Sequence, residues 1–185
     1  LGDADWMYVE EGKHAFKPKM FRYTNAKILQ YKYKFNETVN YNLGNDNQCD
    51  WNKGGGLSAH LFTNHKNSAM WSWRYDLNGD ILIAPYFHIN GETLWAKAPC
   101  STLSPSKTDN SLPYVRVKPN QEFTITFSII TKNRVGITIN VGGKDVYVEK
   151  EFPKASFKWW REIGPWFGGN EVAPQKIYLY RLRLK

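Results

Sequence analysis

SAMWSWRY (68–75), ILIAPYFHI (81–89) and ETLWAKA (92–98) follow one another with an Asn-Gly dipeptide in each joint, Asn78-Gly79 and Asn90-Gly91. Asn-Gly suits the left-handed backbone of a type I′ turn, so the three runs read as two consecutive β-hairpins. Two-residue loops predict Trp73 opposite Ala84, Trp71 opposite Tyr86, Ala69 opposite His88, Tyr86 opposite Trp95 and Ala84 opposite Lys97. Strand side chains alternate between faces. One face therefore collects Met70, Ile81, Ile83, Phe87, Ile89, Leu94, Ala96 and Ala98. The other collects Trp71, Trp73, Tyr75, Tyr86, His88, Trp95 and Lys97. The aliphatic face is expected to take the core, leaving the aromatic face as a platform for a flat, hydroxyl-rich ligand. Covering of Trp71 and Trp73 by a second sheet is the competing expectation. Ser72 and Arg74 fall on the aliphatic face, and a bulge at Pro85 would turn the register over beyond it.

Outward from this core, Ala26–Val39, Tyr114–Val117, Glu122–Thr131, Val135–Val141, Lys144–Glu149 and Lys176–Leu184 also read as strands. Phe123, Ile125, Phe127 and Ile129 alternate with small polar residues, as do Val135, Ile137, Ile139 and Val141. Gly142-Gly143 marks another tight turn. Strands this numerous predict an all-β antiparallel sandwich, and the length and tryptophan content favour a jelly roll. Asn40–Gly56, Ala98–Pro113 and Lys150–Pro174 read as irregular. With no internal repeat, residues 20–185 form one expected domain and 1–19 an N-terminal arm that packs or extends.

The 185 residues carry 25 Lys and Arg against 17 acidic side chains, a formal charge of +8. That balance favours an anionic partner such as an acidic polysaccharide, nucleic acid or cell surface. No apolar run is long enough to span a membrane, so no membrane insertion is expected. The start at Leu1 reads as a mature or trimmed product, in which a removed signal peptide would leave no trace, and an extracellular, secreted or surface location is the expectation. Cys49 and Cys100, the only cysteines, lack zinc-ligand spacing; in an exported protein they form one disulfide, otherwise two thiols.

His88, Tyr86 and Lys97 share the aromatic face, with Arg74 less well placed. A polysaccharide lyase needs a base, an acid and a cation beside the uronate carboxylate, roles that His, Tyr and Arg or Lys can fill. No convincing neutralising Arg adjoins His88 and Tyr86, which favours binding over catalysis. A glycosidase needs two facing carboxylates, and this face has none. Asp46 and Asp50 lie in an oxygen-rich loop that could hold Ca²⁺, although Asx turns explain it as well and no cofactor is otherwise expected. His60 and His65 have no carboxylate beside them, which argues against a metal. YKYKF (31–35) and FKWWR (157–161) interleave basic and aromatic residues. Tyr31, Tyr33 and Phe35 alternating with Lys32 and Lys34 read as a half-buried strand, no nucleic-acid motif accompanies either stretch, and no nucleic acid is expected.

The ending GPWFGGNEVAPQKIYLYRLRLK (164–185) and the stretches YNLGNDNQCDWNKGGGLS (41–58) and NSAMWSWRY (67–75) resemble concanavalin A-like jelly-roll proteins of bacteria and their phages. That group includes lectin-like modules and polysaccharide lyases. The Arg-x-Glu-x-Arg, Gln-x-His and Tyr-x-Lys-x-Gly elements of its alginate lyase branch are missing; His88 in YFHI loosely matches the second. Three readings follow: an extracellular carbohydrate-binding module favouring anionic glycans, a lyase acting on a uronate-containing glycan, or a structural sandwich of a virion, fibre or filament.

Overall fold

The structure is a computed structural model and describes residues 4–98, 100, 112–153 and 160–185. Two antiparallel sheets pack face to face. The back sheet runs in the order β1 (Ala4–Val9), β13 (Ile177–Arg183), β3 (Ile28–Phe35), β9 (Phe123–Thr131), β10 (Arg134–Val141) and β11 (Lys144–Glu151). The front sheet runs β2 (Arg22–Thr24), β12 (Trp160–Ile163), β4 (Asn52–Ser58), β5 (Asn67–Asp76), β6 (Asp80–Ile89) and β7 (Glu92–Trp95). β8 (Val115–Val117) pairs with the start of β6 beyond the end of β7. This is an antiparallel β-sandwich of the jelly-roll, concanavalin A-like type.

Alternation sorts the back sheet cleanly. Leu29, Tyr31, Tyr33 and Phe35 of β3 and Phe123, Ile125 and Phe127 of β9 point inward and are buried. Their neighbours Lys32, Lys34, Thr124 and Thr126 face out. Each fully buried aromatic or branched side chain removes enough apolar surface to stabilise the fold by about 1.5–3 kcal/mol.

β1 lies within residues 1–19, read from sequence as an arm, and pairs with β13 from Ala4↔Leu182 to Val9↔Ile177 as an edge strand of the back sheet. β4 (NKGGGLS) and β12 lie in stretches that read as irregular. In β4 the glycines hide the alternation while performing it: a Cβ on Gly54 would run into the Trp71 indole. The Ser/Pro-rich connection expected over Ala98–Pro113 lies mostly outside the described residues, as do residues 157–159 of FKWWR.

Candidate functional site

The loop between β5 and β6 decides which side chains reach the site. Its ladder closes at Asp76↔Asp80, so Leu77-Asn78-Gly79 is a three-residue loop. The Gly79 amide donates to the Asp76 carbonyl at 2.9 Å and Gly79 has φ +94°, a turn followed by a left-handed glycine. The expected two-residue loop is therefore corrected by one residue. Trp73 lies opposite Ile83, Trp71 opposite Pro85 and Ala69 opposite Phe87. Pro85 stays in the ladder without shifting it. Asn90-Gly91 is the expected two-residue loop, closing Ile89↔Glu92 and setting Tyr86 opposite Trp95.

One residue of slip turns β5 over relative to β6. Trp71 and Trp73, expected on the ligand face, are 0 % exposed between the sheets, against Tyr33 at 4.7 Å and Phe35 at 4.6 Å. Tyr75 follows them inward and sits beside Tyr41. Met70, expected inside, joins the outer face opposite Tyr86. Arg74 also turns outward, away from Tyr86 and His88 along the strand. Its guanidinium donates to the Cys49 carbonyl at 2.9 Å and lies 5.0 Å from the Trp51 ring. Lys97 is exposed beyond the last paired residue of β7, not opposite Ala84.

The outer front face is covered at one end and open at the other. At the covered end Leu82 and Ala84 are fully buried, beside the Trp51 segment and the 3-10 turn Asp46–Cys49. Cys49 and Cys100 are disulfide-bonded there, with Cα atoms 5.9 Å apart. Asp46 is exposed on that turn, whereas Asp50 is half-buried beside Lys53. No group of three or more His, Cys, Asp or Glu side chains gathers as a metal site among the described residues.

At the open end lies a groove of about 550 Å³, lined by Lys19, Lys53, His65, His88, Arg161 and Trp166 among others. The register explains the gathering. Lys53 of β4 pairs with Ser72 of β5, which pairs with Ala84 of β6. One step along, Gly56, Met70, Tyr86 and Trp95 form a row, and next to it Arg161, Ser58, Ser68, His88 and Thr93 form another. Trp166 pairs with Lys53 across two backbone hydrogen bonds of 2.8 and 2.9 Å and stacks on His14 at 5.3 Å. No carboxylate lines the groove among the described residues.

Lys53 Nζ stands 5.0 Å from the centroid of the Tyr86 ring and donates to the carbonyls of Trp51 at 3.1 Å and Gly168 at 3.5 Å. Burial lowers its pKa from the ordinary lysine value, and nearby Asp50 partly restores it. Burial raises the Tyr86 phenol, with Asp50 adding to the effect, and Trp95 stacks beside it at 6.3 Å. His88 Nδ1 lies 3.0 Å from Thr93 Oγ1, and the His65 ring is 5.1 Å away. Burial, His65 and Lys53 together push His88 down to about 4, so its imidazole is neutral at pH 7. Arg161 is held by the His60 carbonyl at 3.2 Å and by Asn64 Oδ1.

Of the residues singled out in the sequence, the structure brings together Tyr86, His88 and Trp95 and separates Trp71, Trp73, Tyr75, Arg74 and Lys97 from them. Lys53 is not among the residues singled out, and Arg161 is so only as the last residue of FKWWR, weighed for nucleic acid. Each lies in a stretch without visible alternation, and sequence positions 53, 88 and 161 have no local spacing that announces a cluster.

No protein-family model matches the chain, and no curated protein matches it. Among solved structures it is similar to the alginate lyase vAL-1 from Chlorella virus, with a TM-score of 0.52, 14% identity, and coverage of 96% of this chain and 81% of that one. It is also similar to a mutant alginate lyase in complex with an alginate trisaccharide, with a TM-score of 0.46, 11% identity, and coverage of 97% and 72%. The botulinum neurotoxin serotype C1 binding domain follows at a TM-score of 0.37 and 7% identity, covering 97% of this chain and 42% of that one. The first of these likenesses supports the jelly-roll architecture.

Proposed function

We propose that the groove binds an acidic polysaccharide outside the cytoplasm and cleaves it by β-elimination. The observation that carries this reading is a groove lined by Lys53, His88 and Arg161 with no carboxylate among the lining residues, Lys53 and His88 standing 5.0 and 5.4 Å from the Tyr86 ring. Arg161 and Lys19, cations in a lining without carboxylates, suit a polyuronate, and the lining leaves hydrolysis without its two acids. Arg161 also gives the groove of His88 the neutralising arginine whose absence from the sequence reading favoured mere binding. The shared architecture with an alginate lyase supports a uronate chain as the ligand class, and the disulfide supports an oxidising compartment.

The chemistry assigns each group a role. Arg161 neutralises the uronate carboxylate, making the adjacent C–H acidic. Lys53, whose pKa burial lowers, takes that proton. A neutral amine has two N–H bonds, which the Trp51 and Gly168 carbonyls can accept, and one lone pair left for the substrate. The C–H electron pair becomes the 4,5 double bond, the glycosidic C–O bond breaks, and the leaving oxygen takes the Tyr86 proton. His88, pushed down to about 4, serves in this reading as a neutral hydrogen-bonding wall, and Lys53 takes the role of base that the sequence offers to His88.

The 5 % exposure of Tyr86 favours a second reading, in which the groove holds the polymer without cleaving it. Incubation with alginate, polygalacturonate and glucuronan separates the two. Ultraviolet absorbance from a 4,5-unsaturated product is expected, rising with pH as Lys53 loses its proton and vanishing in Lys53→Ala and Tyr86→Phe. Saturable binding with no product on any of these polymers would establish the second reading. Turnover that survives Lys53→Ala and vanishes in His88→Ala would return the base to His88.

A further inference from the structure

The back sheet carries a second aromatic and cationic surface, on the opposite side of the sandwich from the groove. Register places Trp6 beside Tyr180 and Lys34, and Tyr8 beside Tyr178, all on the outward face. Trp6 is 40 % exposed and meets Tyr180 at 5.4 Å and Tyr178 at 6.3 Å; Tyr8 meets Tyr178 at 5.8 Å. Two ammonium groups stand over these rings. Lys34 Nζ lies 5.5 Å from Tyr180 and 6.0 Å from Trp6, and Lys176 Nζ lies 4.3 Å from Tyr8 and 5.3 Å from Tyr178. Lys176 also pairs with Glu10 at 3.6 Å.

Four rings on the outer face of an edge strand and its neighbour do nothing for the core, since Met7, Val9, Ile177 and Leu179 already fill the inward face of the same two strands. Aromatic faces accept the apolar C–H patches of a pyranose ring, and the lysines beside them match a carboxylate on that ring. The polar residues Lys32, Thr124 and Thr126 continue the surface across β3 and β9. From this pairing of rings and cations we propose that the stripe is a second, non-catalytic binding surface for acidic polysaccharide. Its ligand class rests on the reading of the groove; its geometry does not.

Affinity electrophoresis of the full chain through gels containing polygalacturonate, alginate or neutral dextran tests the proposal. Lys53→Ala is used as background so that the polymer stays intact. Retardation by the acidic polymers, absent in dextran, is expected to fall about tenfold in apparent affinity with Trp6→Ala/Tyr178→Ala. Lys34→Gln/Lys176→Gln, which leaves the rings in place, is expected to weaken it as well. On the wild-type background, Trp6→Ala should leave cleavage of short oligouronates unchanged. Retardation indifferent to both variant pairs overturns the proposal, as does equal retardation in dextran. A sedimentation shift from dimer to monomer with Trp6→Ala also overturns it, by making the stripe an interface between copies. Unsaturated product without stripe-dependent retardation sinks the stripe alone; stripe-dependent retardation without product sinks the lyase reading alone.

Discussion

Asn78-Gly79 and Asn90-Gly91 are the same dipeptide at the two ends of β6, and they dispose of the neighbouring rings in opposite ways. The first sits in a three-residue loop, and the strand before it turns Trp71 and Trp73 into the core. The second is a two-residue loop, with Asn90 at φ 51° and Gly91 at φ 88°, and keeps Trp95 stacked beside Tyr86 on the outer front face. Both are good turns. The difference is one residue of loop, and a one-residue slip carries every side chain of a strand to the other face. Indoles of identical chemistry thus become core or site according to the joint that precedes or follows them.

The sharpest way to break this contrast is to truncate an indole on each side. Trp73→Ala is expected to cost about 3–5 kcal/mol, as buried aromatic deletions do, measured by chemical denaturation. An almost silent Trp73→Ala would mean that the first loop does not set the register described here.

A pH series probes the outer face. Burial lowers His88 from the ordinary 6.5 to about 4, so on acidification the unfolded chain takes up a proton before the folded one. The stability from the neutral imidazole is complete above about 6.5 and is lost as the pH falls toward about 4, by up to about 1.4 kcal/mol per pH unit. Melting temperatures should fall through that window in the wild type and fall less steeply in His88→Gln. Equal slopes would place His88 in water.

The turns come next. Gly79 (φ +94°) and Gly91 (φ +88°) both occupy left-handed backbone with open space around them, so an alanine meets strain without a clash. Gly79→Ala and Gly91→Ala should each cost about 1–2 kcal/mol. A neutral result at either would show that its loop relaxes into a different turn. The smallest expected effect is that of Trp95→Ala. Half-buried beside Tyr86, it should lose less than about 1 kcal/mol of stability, with its main effect on polymer binding in the groove.

Legibility in the sequence followed local pattern. Clean alternation exposed β9 and β10, and the Asn-Gly joints at its two ends exposed β6; the inward residues Ile81, Ile83, Phe87, Ile125 and Ile137 are buried. The Asn90-Gly91 register was legible as well, and with it the meeting of Tyr86, His88 and Trp95. Loop length at Asn78-Gly79 was not, because a dipeptide that fits a two-residue turn fits a three-residue one equally well. β4 stayed hidden because glycine contributes no hydropathy signal even where it permits Trp71 to pack. Lys53 and Arg161 were invisible as a pair for a different reason: only the pairing of β4 with β12 and β5 brings them to one groove.

The groove and the ring stripe occupy the two outer faces of one sandwich, with the whole core between them. One straight run of polymer therefore cannot lie on both at once, and a molecule occupied on both faces is bivalent. On the proposed reading, a chain held on the back face would raise the effective concentration of neighbouring chains at the front. Such an arrangement favours a crowded, gel-like matrix of strands over isolated chains in dilute solution.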